Sequence, residues 1–114
     1  MAGKKMATEA AEIRRLTRIY ANMPAKQRQL ADGLIAQAAR LRVRLDELNA
    51  DIQEHGMVEL FQQSEKVEPY WRERPQASLF VKLDKNYQAI IRQLAELVPP
   101  EEEARDDLAE FLNG

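Results

Sequence analysis

From Pro24 to His55 the chain carries apolar residues at Leu30, Leu34, Ala38, Leu41, Leu45, Leu48 and Ile52, steps of three and four that keep one stripe along a helix. No proline follows Pro24 in that stretch, so the spacing predicts a helix of roughly 30 residues, about 45 Å long at ~1.5 Å per residue. A helix of that length exceeds the ordinary globular range and has to lie against several partners or against copies of itself. Pro24 fits the first turn, where its missing N–H would be unpaired in any case. Gly56 fits the stop, because glycine takes the left-handed conformation that closes a helix. Gly33 is the one weak point, costing about 1 kcal/mol against alanine unless a neighbour packs close to it.

The polar side of this helix has a charge order of its own. Lys26 and Arg28 stand near its start, Arg40 and Arg44 share a face one turn apart, and Asp46, Glu47, Asp51 and Glu54 cluster towards its end. A helix dipole favours acids first and bases last, so the order is largely reversed. Solvated surface charge accounts for such a pattern, and so does a charged partner. The same asymmetry runs through the whole chain beneath a formal charge of −2. Residues 1–44 hold ten Lys/Arg against three acids, a net of +7, while the remainder holds seven bases against sixteen acids, a net of −9. A mildly acidic total is therefore compatible with a polyanion-binding end.

A length of 114 residues suits one domain with a modest core. No run approaches the ~18 apolar residues of a membrane span. The opening Met-Ala-Gly-Lys-Lys lacks the apolar centre of a secretory signal. With no cysteine there is no disulfide framework, thiol nucleophile or thiolate metal site. These features point to an intracellular protein that does not enter membranes.

Residues 1–7 read as a mobile leader bearing Lys4 and Lys5. From Thr8 to Met23, Ile13, Leu16, Tyr20 and Met23 repeat the helical rhythm, with Thr8 as N-cap and Glu9 in the first turn. Arg14, Arg15 and Arg18 crowd its polar side, and Arg14 and Arg18 form a like-charge i,i+4 pair. Beyond Gly56, residues 57–63 alternate loosely, with Val58 and Leu60 on one side, and suggest a short strand or an extended segment. Residues 64–77, with Pro69, Pro75 and the Tyr70-Trp71 pair, read as an irregular but ordered loop. Trp71 is expected in a crevice between helices, since leaving it in water is costly; the functional alternative is a stacking platform for a base.

Ser78 is the expected N-cap of a further helix, Leu79 to Val98. Its seam is Phe80, Leu83, Tyr87, Ile90, Leu94 and Leu97, a coiled-coil-like spacing suited to lie antiparallel against the first long helix. Pro99-Pro100 end it. Residues 101–112 form an acidic segment whose apolar edge is Leu108, Phe111 and Leu112. Acids directly after prolines favour a helix start, but a twelve-residue helix is marginal alone and has to dock. The expected fold is thus all-α: a hairpin of two long helices, a short N-terminal helix, an irregular or extended middle loop and a C-terminal acidic helix. Residues 8–100 form the oligomerisation and binding domain.

Catalytic constellations are missing from the sequence. The one histidine, His55, suits the negative end of the long helix better than a catalytic role. The glycines are scattered and form no phosphate loop. Ser64, Ser78 and His55 assemble no plausible triad, and consecutive carboxylates on a helix diverge too much for a metal cage. The expectation is a protein without enzymatic activity, metal or cofactor. Residues 8–23 followed by the long helix imitate a helix-turn-helix, but the second helix is too long for a typical recognition module.

The order "LADGLIAQAARLRVRLDELNADIQEHG", then Glu59-Leu60-Phe61-Gln62-Gln63, then "LFVKLDKNYQAIIRQLAELVP" resembles the small terminase subunits of tailed bacteriophages. Lys85, Asn86, Tyr87, Ile91, Gln93, Leu94, Leu97 and Pro99 stand where the family's later helix has its pattern, and the resemblance covers about residues 10–100. Glu-Pro-Tyr-Trp and Pro-Gln-Ala-Ser in the middle segment depart from the Asn-Gly-rich, Lys-Ser-containing turn more common in related chains. No separate compact DNA-binding domain is apparent. The resemblance implies a non-catalytic, ring-forming homo-oligomer in the host cytoplasm that binds double-stranded viral DNA and recruits the large terminase subunit. It also implies roles. Lys4, Lys5, Arg14, Arg15, Arg18, Lys26, Arg28, Arg40 and Arg44 become DNA candidates. The two seams, Leu30, Leu34, Leu41, Leu45, Leu48 and Ile52 with Phe80, Leu83, Tyr87, Ile90, Leu94 and Leu97, build the protomer and ring contacts. Leu108, Phe111 and Leu112 become the large-subunit contact. The competing expectation is a structural or regulatory helical oligomer that binds only protein.

Overall fold

A computed structural model describes residues 8–98. Lys4, Lys5 and the leader, and the acidic segment with Leu108, Phe111 and Leu112, lie outside the described residues. Within them the order is α1 (Glu9–Ile19), α2 (Ala25–His55), β1 (Val58–Phe61), β2 (Tyr70–Glu73) and α3 (Pro75–Leu97). The protein is mostly helical, with one small antiparallel sheet.

Thr8 caps α1 as expected, its hydroxyl accepting from the Ala11 N–H at 3.1 Å. The helix stops at Ile19 rather than Met23, and Arg28 donates to the Ala21 carbonyl at 2.9 Å across the turn into α2. α2 runs 31 residues and closes at Gly56, whose φ of 84° requires glycine. Arg74 at the head of α3 bonds Asp51 near the end of α2, whereas Leu97 at the tail of α3 shares a surface cavity with Leu30. The two long helices therefore run in opposite directions.

The middle segment bears out the extended piece expected within 57–63 and corrects the irregular loop expected over 64–77, which holds a second strand. Val58–Phe61 and Tyr70–Glu73 pair antiparallel, with Glu59 opposite Arg72 and Leu60 opposite Trp71. Arg72 donates to Glu59 at 2.6 Å and its guanidinium lies 3.5 Å from the Phe61 ring centroid, while Tyr70 meets Phe61 edge-on. This side of the ribbon seals itself. The opposite side, with Val58, Leu60 and Trp71, stays open, and Trp71 is 68% exposed. Trp71 does not fill the expected crevice: strand alternation puts it beside Leu60 on the open side of the ribbon. α3 also begins earlier than Ser78 predicts. Arg74 is the N-cap and Pro75 the first helical residue, a position where proline's fixed φ and missing N–H are no handicap.

The core is narrower than two leucine seams would give. Its buried apolar residues are Leu16, Ala31, Ile35, Ala38, Ala39, Leu45, Ala77 and Leu94. Half are alanines, so the helix backbones come close and the larger side chains flank the contact. Ala31 and Ile35 turn towards Leu16 of α1 in the same cluster, which rotates the most buried face of α2 away from the predicted stripe. Of that stripe Ala38 and Leu45 are buried, Leu34, Leu41, Leu48 and Ile52 are half-buried, and Leu30 is 65% exposed. Leu30 is thus no part of the protomer's own seam. On α3 Leu94 is buried and Phe80, Leu83, Tyr87, Ile90 and Leu97 are half-buried. A radius of gyration of 20.0 Å, against about 13 Å for a compact chain of ~100 residues, reflects this rod-like packing.

Candidate nucleic-acid interface

The nominated cations fall into distinct groups. On α1, Leu16 is the buried pivot, and Arg14 and Arg18, two positions to either side, project from the opposite face. Neither has a hydrogen bond or ion pair among the described residues, and both are exposed. Lys26 in the first turn of α2 is likewise exposed and unpaired among them. These cations are the ones available to an incoming anion.

The others are already engaged. Arg15 grips Glu12 with two hydrogen bonds, at 3.1 and 2.9 Å. Those bonds raise the Arg15 pKa above its ordinary value, Tyr87 adds to the shift, and partial burial opposes it. The pairing also explains how Glu12 can be buried, at 8% exposure. Arg40 lies 3.6 Å from Glu9, and Arg44 lies 3.8 Å from Glu47. Arg28 is held by its carbonyl contact to Ala21. Such exposed pairs are worth at most about 1 kcal/mol, so an anion could still recruit Arg40 or Arg44 at small cost. Arg42, which pairs with Asp46 at 3.2 Å, resolves part of the reversed charge order within a single turn.

Sequence reasoning missed Arg74. Its side chain is buried, bonding Asp51 Oδ2 at 2.8 Å and the Gly56 carbonyl at 2.7 Å, while its own N–H donates to Met57 at 2.8 Å. It fastens the hairpin base to the end of α2 and opens α3. The Arg-Pro dipeptide carried the signal, since a residue before proline is held extended and a proline suits a helix start. His55 sits near Asp51 and Glu54, at 3.9 and 3.8 Å, on the last turn of α2. Among the described residues no three His, Cys, Asp or Glu side chains converge as a metal site, and no helix is long and apolar enough to cross a membrane.

The class defined by these observations is an elongated helical protein with a basic outer face on its first helix and a small β-ribbon at the far end. Comparisons with protein-family models, curated proteins and solved structures give no match.

Proposed function

We propose that the chain is a non-catalytic small terminase subunit: a ring-forming homo-oligomer that binds double-stranded viral DNA and recruits the large terminase subunit in the host cytoplasm. The observation that carries the DNA part is the outward α1 face, where Arg14 and Arg18 stand unpaired among the described residues. Two like charges one turn apart repel, and a phosphate between them relieves the repulsion. Lys26 extends the set, with Lys4, Lys5, Arg15, Arg28, Arg40 and Arg44 as further contacts. The oligomer part rests on the half-covered seams of α2 and α3 together with exposed Leu30. In this reading Leu108, Phe111 and Leu112 meet the large subunit.

The test is the salt dependence of double-stranded DNA binding by the full chain. Each lost phosphate contact lowers the slope of log affinity against log salt by about 0.9, so Arg14→Ala with Arg18→Ala is expected to remove about 1.8. Unchanged affinity and slope would take α1 out of the account. One observation favours a second reading, an oligomer that binds only protein: Arg15, Arg40 and Arg44 are already neutralised by the chain's own carboxylates. That reading expects no DNA binding at physiological salt and association indifferent to the arginines.

A further inference from the structure

Two adjoining cavities of about 430 and 610 Å³ share Gln37 and Gln93 and form one trough along α2 and α3, with no α1 residue lining it. Its apolar floor is Leu34, Leu41, Ile90 and Leu97, and Arg40 stands at its rim. The trough is long enough for a short helix. From Asn86 to Leu97 it follows twelve residues of α3, about 16 Å end to end at ~1.5 Å per residue step.

We propose that this trough is the docking site of the chain's own acidic segment, residues 101–112, folded back along α3. The chain leaves α3 at Leu97, which itself lines one end of the trough. Pro99-Pro100 then forbid a straight continuation. Twelve helical residues after them measure about 18 Å at ~1.5 Å each, matching the floor. Their apolar edge, Leu108, Phe111 and Leu112, has the i, i+3, i+4 spacing that a helix lays into a groove. Charge agrees as well. Residues 101–110 carry six carboxylates and one arginine, while the α2 wall of the trough, from Leu30 to Leu41, contributes Arg40 as its one charged lining residue. The one carboxylate lining the trough, Glu96, sits at the end next to the prolines. A segment too short to be helical in water gains its order by covering an apolar surface the protomer leaves open.

This docking describes the free protomer, and a large subunit or a second copy would have to displace the segment to reach Leu108, Phe111 and Leu112 or the α2–α3 seam; its failure leaves the DNA part of the functional reading untouched. Because the chain has no cysteine, paired cysteines in the full-length protein test it directly. An antiparallel return pivoting at residues 98–100 would set Ala104 level with Gln93, so a disulfide between cysteines at these two positions reports the docking. Gln93 is exposed, so the substitution leaves the core intact. Mild oxidation of the Gln93→Cys, Ala104→Cys protein is expected to give an intrachain link that is independent of dilution. It should form about ten-fold or more faster than in Gln53→Cys, Ala104→Cys, whose first cysteine is exposed outside the trough. High salt and Leu108→Glu should each slow the link several-fold. A dilution-sensitive interchain dimer would mean that the segment docks on a second copy, and no link, or equal rates for the two pairs, would mean that the trough does not hold it; each overturns the proposal.

Discussion

Replacing Arg74 by methionine keeps most of the stem that packs between α2 and the hairpin while deleting the guanidinium. Two charge-assisted hydrogen bonds disappear, to Asp51 at 2.8 Å and to the Gly56 carbonyl at 2.7 Å. Each bond of that kind contributes about 1.5–3 kcal/mol. Breaking a fully buried pair costs about 3–5 kcal/mol, because the survivor is left unpaired in low dielectric. Asp51 is only partly in that position: its side chain is 31% exposed against 10% for Arg74, so water rehydrates it after the loss. The expected cost is therefore about 2–4 kcal/mol, below the sum of the two bonds. Arg74→Lys should recover only part of it, since an ammonium lacks the fork that reaches both acceptors.

Urea denaturation at fixed protein concentration measures the loss, and a double-mutant cycle with Asp51→Ala isolates the pair, with an expected coupling of about 1–2 kcal/mol. Hydrogen exchange should place the damage at residues 56–77, because the hairpin base and the first turn of α3 depend on Arg74, while the Leu16–Ile35–Leu94 cluster stays protected. A cost under about 0.5 kcal/mol, the ordinary scatter of surface substitutions, with no coupling to Asp51, would refute the view that this contact fastens the ribbon to the helices.

Two other substitutions probe the helices. A Cβ built on Gly33 meets nothing within 4 Å among the described residues and the residue has no positive φ, so Gly33→Ala should raise stability by about 1 kcal/mol; a loss would mean that whatever occupies the trough, which Gly33 lines, packs too closely there to admit a methyl group. Leu94→Ala, at a fully buried position, should cost about 2–5 kcal/mol, whereas Leu30→Ala, exposed in the protomer, should change protomer stability by less than about 0.5 kcal/mol in the same denaturation series.

The long-range pattern was legible because period and punctuation agreed. Three-and-four spacing gave α2 and α3, and Thr8, Gly56 and Pro99 marked ends that follow from backbone chemistry alone. What escaped was rotational phase. The predicted stripe follows the leucines and includes Ala38, but Ala31, Ile35, Ala39 and Ala77 are buried outside the predicted seams, and alanine is too weak a signal to compete with leucine on a helical wheel. The hairpin escaped for a different reason. Pro69 and Pro75 read as breakers, yet Pro69 precedes β2 and Pro75 opens α3, and both positions tolerate a missing N–H. The candidate cations were all legible as residue types. Which of them are free was not, because pairing such as Arg40 with Glu9 joins residues far apart in the chain.

A core that is half alanine, flanked by leucines left half-covered, has a thermodynamic consequence. Apolar area still open on α2, α3 and the Val58–Leu60–Trp71 face of the ribbon is stabilising only if something covers it. A two-stranded ribbon of four-residue strands is marginal by itself, so the ribbon has the most to gain. If the cover is another copy, folding and association are linked and the midpoint of thermal unfolding must rise with protein concentration. Trp71, the one tryptophan and 68% exposed in the protomer, reports the same event: its emission should shift to shorter wavelength and resist acrylamide quenching as concentration increases. A midpoint that ignores concentration, together with a Trp71 that stays fully quenchable, would mean that the open faces are matched to a different partner and that the protomer is the unit of stability.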